Sequence, residues 1–280
     1  MNKVFVIIMM AAFVFGCTST SKNESETETE VKSEMQKKVE EYAPFKLTTD
    51  LSVLTEKEKQ MLPFLFEAAN IMDEIFWMEA FGDKDKLFSG DLDKYTRTFL
   101  EINYGPWERL KNNEPFLPGY GEKPAGANFY PEDMTKEEFE AWYEESKTSQ
   151  YTLIRRGEGG NLKSIPYHVA FEDEVKKAAE LLKKAAELAE EPGLKNYLEK
   201  RAEALLADEY YESDVAWMEM KDNTIEFIVG PIENYEDQLY GYKTAHESFI
   251  LIKDKKWSQK LVKFAALLPG LQKDLPVEQK

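Results

Sequence analysis

A chain of 280 residues, 42% hydrophobic and 13% aromatic, can bury a substantial core as one large domain or two small ones. Its net charge of -17, from 36 Lys and Arg against 53 Asp and Glu, argues against nucleic acid as a partner, since phosphate binding needs clustered cations. The single cysteine excludes disulfides and thiolate-held zinc.

Met1 to Cys17 has the form of an export signal: Lys3, an apolar run from Val4 to Phe15, then Gly16-Cys17. The run is too short to span a bilayer comfortably. Val14-Phe15-Gly16-Cys17 resembles a bacterial lipobox, which implies lipidation of Cys17 and anchoring to the membrane of the cell envelope, at its periplasmic face or surface. Residues 18–46 read as a flexible tether, because the Ser/Thr/Glu/Lys tract from Thr18 to Glu41 offers almost nothing to bury. The folded body is expected over residues 47–280.

Thr55-x-x-Glu58 predicts a capping box, and Pro63 a bend or restart in the helix behind it. Leu65, Ala68, Met72, Ile75 and Phe76 keep helical spacing up to a stop at Gly82, and a second helix is expected over Leu92–Ile102. Tyr104 to Pro131 is a long loop rich in Pro, Gly and aromatics, read as either a cleft wall or a structural strap. Thr135-x-x-Glu138 predicts another capping box, and Tyr151–Arg155 with Leu162–Ile165 a β-hairpin. Phe171–Ala207 reads as two helices broken at Pro192-Gly193, and Ser213-Asp214 as the cap of a segment carrying Trp217. A short buried strand spans Thr224–Val229 and stops at Gly230-Pro231, with an amphipathic helix from about Gln238. Leu261–Leu268 is expected to be helical and the end after Pro269 a linker. The fold class is α+β, mainly α-helical with few β-strands, a hairpin near 151–165 and a strand near 224–229.

Two histidines limit the chemistry. His168 has no second ligand at metal spacing. His246-Glu247 begins like the zinc motif H-E-x-x-H, but Phe249, Ile250 and Leu251 follow, so a structural role is expected for His246 and no metal site is assigned. A serine triad lacks its nucleophile elbow, and Ser248 falls inside the expected helix. The polar cluster after the strand is the better candidate. Glu233 is suited to a cationic substrate group, Tyr235 to donating a hydrogen bond to a developing oxyanion, and a strand edge to holding an extended peptide. Capping or packing at a strand–helix junction accounts for the same residue types equally well.

Four segments carry a resemblance: Ile102-Asn-Tyr-Gly-Pro-Trp-Glu-Arg109, Gly121 to Met134, Ser213-Asp-Val-Ala-Trp-Met218 and Val229-Gly-Pro-Ile-Glu-Asn-Tyr-Glu-Asp237. In this order they resemble the dipeptidyl peptidase III family of zinc metallopeptidases. The match is especially to the shorter bacterial members and to the domain fused to some plant Nudix hydrolases. The resemblance implies short peptides as substrates or ligands. It also implies that Glu233 receives the peptide's N-terminal amine, that Tyr235 assists at the scissile carbonyl, and that Asn234 lies between them in the substrate cleft. The family's zinc helix, H-E-x-x-x-H or H-E-x-x-H with a later Glu, has no counterpart here. The expectation is therefore an N-terminal, substrate-cleft half that holds no zinc and is inactive alone, zinc belonging to the full-length family. The rival is a non-catalytic cell-envelope lipoprotein with a peptide-binding or structural role.

Overall fold

The computed structural model describes residues 32–277. The stretch read as an export signal, Cys17 and the first part of the expected tether lie outside these residues.

Within the segment read as tether, Glu34–Glu40 forms a helix, α1, started by the Ser33 hydroxyl on the Gln36 N–H. It is held down by Lys38, which pairs with Glu108, and by Tyr42, whose ring meets Phe99 at 5.8 Å. α2 spans Glu56–Ala80 and opens with the expected capping box: Thr55 Oγ1 accepts from Glu58 N at 3.1 Å, and Glu58 Oε2 from Thr55 N at 2.8 Å. Contrary to expectation, Pro63 does not restart the helix. A proline inside a helix costs about 3 kcal/mol. Met61, Leu65, Ala68, Met72 and Ile75, all 0% exposed, lie on the same helix, and burying each large apolar side chain returns about 1.5–3 kcal/mol. Packing outweighs the break. At the C-terminus, Gly82 at φ +113° donates its N–H to Trp77 O, a geometry that favours glycine.

α3 (Lys84–Phe88) and α4 (Lys94–Asn103) follow, then the aromatic loop, which contains a two-residue antiparallel pair, β1 (Trp107–Glu108) with β2 (Glu114–Pro115). α5 covers Lys136–Ala141. Its Thr135 caps the Glu138 N–H, but Glu138 turns to Arg156 in place of completing a box. β3 (Thr152–Arg156) and β4 (Leu162–Pro166) form the expected hairpin. α6 (Tyr167–Ala170) leads into α7 (Glu172–Leu188) and α8 (Pro192–Leu205), with Pro192 in the first turn of α8, where its missing N–H is harmless. α9 is Tyr211–Glu219; Ser213 is buried inside it and bonds back to Tyr210 O, so it is not the cap.

β5 runs Ile225–Glu233 through Gly230-Pro231, and the expected helix after Gln238 is absent. The chain turns over residues 234–244 and returns as β6, Ala245–Ile252, antiparallel to β5 with Ile225 opposite Ile252. A register irregularity between Pro231 and Glu233 accommodates the proline, which cannot donate to the ladder. The end after Pro269 is not a linker: α10 (Lys255–Ala265) is followed by α11 (Leu268–Lys273), and neither buries a residue. The core lies between α2, α7 and α8, with α9 against α8 and the β5–β6 hairpin laid on α2. The fold is α+β and mainly helical, as the sequence indicates.

Candidate functional site

The turn joining β5 to β6 is built on two buried carboxylates. Asp237, 2% exposed, accepts four backbone N–H groups: Leu239 at 3.1 Å, Tyr240 at 3.2 Å, Tyr242 at 2.9 Å and Lys243 at 3.1 Å. The Tyr130 hydroxyl adds a fifth bond at 2.8 Å. An ionised carboxylate is an acceptor only, so this convergence of donors suits it and fixes the turn. Asn234 closes the turn by donating to Gly241 O at 3.1 Å.

Glu236 anchors the same turn to the aromatic loop. Arg109 grips it in a two-pronged pair, at 2.7 and 3.1 Å, and Lys123 adds an ion pair. Burial alone would push the Glu236 carboxyl up, but the hydrogen bonds and charges of Arg109, with those of Lys123, hold it below its ordinary value. For Lys123 the balance runs the other way: burial lowers its ammonium despite Glu236. The loop from Tyr104 to Pro131 is thus a clamp on the turn as well as a wall.

Between these anchors stands Tyr235, 56% exposed, its hydroxyl donating to Glu247 on β6. Burial and that hydrogen bond both raise the tyrosine, so the hydroxyl keeps its proton and remains a donor. Glu247 is itself raised, by burial and then by repulsion from Glu233 and Glu236, which outweigh the Tyr235 bond. Tyr235 and Glu247 line a cavity of 340 Å³ with Phe76, Tyr104, Asp73 and Arg109. Tyr104 caps α4 in the left-handed region at φ +52°, an uncommon conformation for an aromatic residue. That places its hydroxyl 2.5 Å from Asp73 Oδ1 and its ring under Arg109.

The three residues named from the sequence do not share one cavity. Tyr235 lines this cavity. Glu233 ends β5, exposed, and its carboxylate makes no hydrogen bond or ion pair among the described residues. Asn234 lines a different cavity beside α8 and α9. His246 is buried in β6, where it pairs through Nδ1 with Glu79 at 2.7 Å and takes a second bond from its own N–H to Glu79 at 2.8 Å. Burial raises Glu79 against the pull of His246. His168 is held by Asp208 at 2.8 Å. A strand also removes the helical turn on which an H-E-x-x-H pair must sit. Among the described residues no three His, Cys, Asp or Glu side chains converge to hold a metal ion.

Glu236 and Asp237 belong to the polar cluster after the strand, whereas Arg109, Lys123 and Glu247 are contributors that the sequence does not assign to the site. The only local signals are the unusual aromatic loop and the run of acids after Glu233.

Residues 143–280 match the model of peptidase family M49, a family of zinc metallopeptidases. The chain is 35% identical to Nudix hydrolase 3 of Arabidopsis thaliana, over 87% of this chain and 40% of that protein. Among solved structures, dipeptidyl peptidase III from Caldithrix abyssi is 43% identical with a TM-score of 0.79, covering 84% of this chain and 47% of that one. Dipeptidyl-peptidase III from Corallococcus sp. strain EGB is 37% identical with a TM-score of 0.80, covering 87% and 48%. The chain therefore spans less than half the length of each of these relatives. Over residues 143–280 the chain matches peptidase family M49, and its fold is similar to that of the dipeptidyl peptidase III structures over the part they share.

Proposed function

We propose that this chain forms the substrate-cleft part of a zinc-dependent exopeptidase of the dipeptidyl peptidase III type, acting on short peptides. The observation that carries the reading is the juxtaposition at the end of β5. There a carboxylate without a partner, Glu233, flanks a protonated tyrosine hydroxyl on a cavity wall, Tyr235. In this role Glu233 holds the peptide's N-terminal ammonium, with Glu247 adding negative charge nearby. Tyr235 releases Glu247 to donate to the carbonyl oxygen of the bond to be cut. In the family, zinc supplies the activated water. The described residues do not fit a zinc site, since both histidines are already held by carboxylates and lie in no three-ligand group. The steps assigned to this chain are binding and orientation, and we infer that residues 1–280 alone release no dipeptide.

The reading is tested by titrating a dye-labelled tetrapeptide with a free N-terminus into the full chain and its variants. A charge-assisted hydrogen bond is worth about 1.5–3 kcal/mol, so Glu233→Gln should weaken binding roughly 10- to 100-fold. Tyr235→Phe should leave ground-state affinity nearly unchanged, because its assigned bond forms at the reacting carbonyl. Unchanged affinity in Glu233→Gln would remove Glu233 from the site.

The pH dependence has a defined sign. The Glu247 carboxyl is raised above its ordinary 4.5, so the negative charge facing the ammonium is lost as pH falls through a value above 4.5. Affinity for the free-amine peptide should fall over that window, and Glu247→Gln should flatten the profile. A profile that is unchanged in Glu247→Gln would exclude its participation.

The export signal and lipobox support a second element of the proposal: attachment to the cell envelope through lipid on Cys17. Mass spectrometry of the protein expressed in a bacterial host should show a lipid-modified N-terminal Cys17 in the membrane fraction. Cys17→Ser should abolish both modification and processing. An unmodified wild-type chain in the soluble fraction would contradict the anchor.

A further inference from the structure

A larger cavity of 620 Å³ lies between β5, α8 and α9 and shares no lining residue with the Tyr235 cavity. Its size falls in the range of small-molecule sites, and Tyr151, Trp217, Met218 and Ile228 give it mainly apolar walls. One cation stands in that wall. Arg201 is 7% exposed, its guanidinium 5.4 Å from the Tyr197 ring and 5.3 Å from the Tyr210 ring. Gly230 brings the β5 backbone against it at φ +121°, with Arg201 Nη1 3.6 Å from where a Cβ would stand.

This arginine is incompletely satisfied. Nη2 donates to Asp214, whose side chain is 57% exposed, while Nε has no acceptor among the described residues. The hydroxyl of Tyr210, 4% exposed, also lacks a partner. A buried guanidinium balanced by one solvent-facing carboxylate, beside a second orphan donor, is a costly arrangement unless something else supplies acceptors. The guanidinium in the wall calls for an anion; the surrounding rings and methyl groups call for an apolar body. A single guanidinium already shared with one carboxylate suits one further negative charge better than a dianion.

We propose that this cavity is a ligand site for a small aromatic monocarboxylate, its carboxylate pairing with Arg201 in competition with Asp214 and its ring packing against Trp217 and Met218. The site is separate from the Tyr235 cleft and does not depend on the peptidase reading.

Calorimetric titration of the full chain with 3-phenylpropionate, and in parallel with 3-phenylpropionamide, tests it. The acid should bind saturably at one site, and the neutral amide at least tenfold more weakly. Arg201→Gln should weaken the acid at least tenfold. Because that variant alters a buried cation, Asp214→Asn provides the second test: the residue is half exposed, and removing the competing carboxylate should tighten the acid severalfold. Equal affinity for acid and amide, absence of saturable binding, or no tightening in Asp214→Asn would overturn the proposal.

Discussion

Glu236→Ala should destabilise the protein by about 3–5 kcal/mol, the cost of removing one partner from a buried ion pair. Glu236 is only 2% exposed at its side chain, Lys123 9% and Arg109 26%. Two cations from the aromatic loop would be left facing each other with no anion between them. At roughly 2–4 °C per kcal/mol for a domain of this size, the midpoint of thermal unfolding should drop by roughly 6–20 °C. The sign with pH is fixed by the depressed Glu236 pKa. The wild-type contribution is complete above the ordinary value of 4.5 and disappears as pH falls through the lower folded value, so the gap between wild type and variant closes only below pH 4.5. Differential scanning calorimetry at neutral and acidic pH measures both. A difference under about 1 kcal/mol at neutral pH would show that solvent replaces the carboxylate and that the clamp is not structural.

Asp237→Ala should have an effect of similar size with a different distribution. Its carboxylate terminates four backbone N–H groups and one hydroxyl, and an unsatisfied buried donor costs about 1–3 kcal/mol. Part of the turn is open to water, as Tyr242 is 37% exposed, which brings the total to at least about 3 kcal/mol, below the simple sum. The loss should be concentrated in residues 234–244, so amide exchange there accelerates while α2 and α7 stay protected. Asp237→Asn should rescue little. Each carboxylate oxygen now faces two or more donors, and the amide would turn an NH2 group toward them. Unaltered protection of the turn in Asp237→Ala would refute its role in holding Tyr235.

Local chemistry was readable in the sequence wherever a few neighbouring residues decide the outcome. Thr55 and Glu58 cap α2 because both bonds of the box close within one turn, and Pro192 opens α8 because the first turn has no use for its N–H. The 152–166 hairpin is likewise a short-range product of two apolar runs and a glycine turn. Where the deciding partner is distant, local sequence does not show the outcome. Ala245–Ile252 has helix-compatible spacing, and only pairing with β5 across the intervening turn makes it a strand. Gly230-Pro231 looks like a stop, yet the strand absorbs it through a register irregularity. Pro63 looks like a break, yet the buried face of α2 overrides it.

The site divides in the same way. Glu233 and Tyr235 lie in one short segment, and the family resemblance of that segment singles them out. Arg109 reaches Glu236 across 127 residues of sequence and Lys123 across 113, contacts that no local pattern announces. His246-Glu247 is the converse case. Its zinc-like spelling is local, but burial of His246 against Glu79 gives it a structural task, while Glu247 turns to Tyr235.

In the proposed role the end of β5 recognises the free amine of a peptide. This recognition is tested most directly by comparing one tetrapeptide with and without N-terminal acetylation, each titrated into the wild-type chain and into Glu233→Gln. Acetylation should weaken binding to the wild type by at least about tenfold, the equivalent of 1.4 kcal/mol, and make little further difference in Glu233→Gln. Equal affinity of the two peptides for the wild-type chain would contradict it.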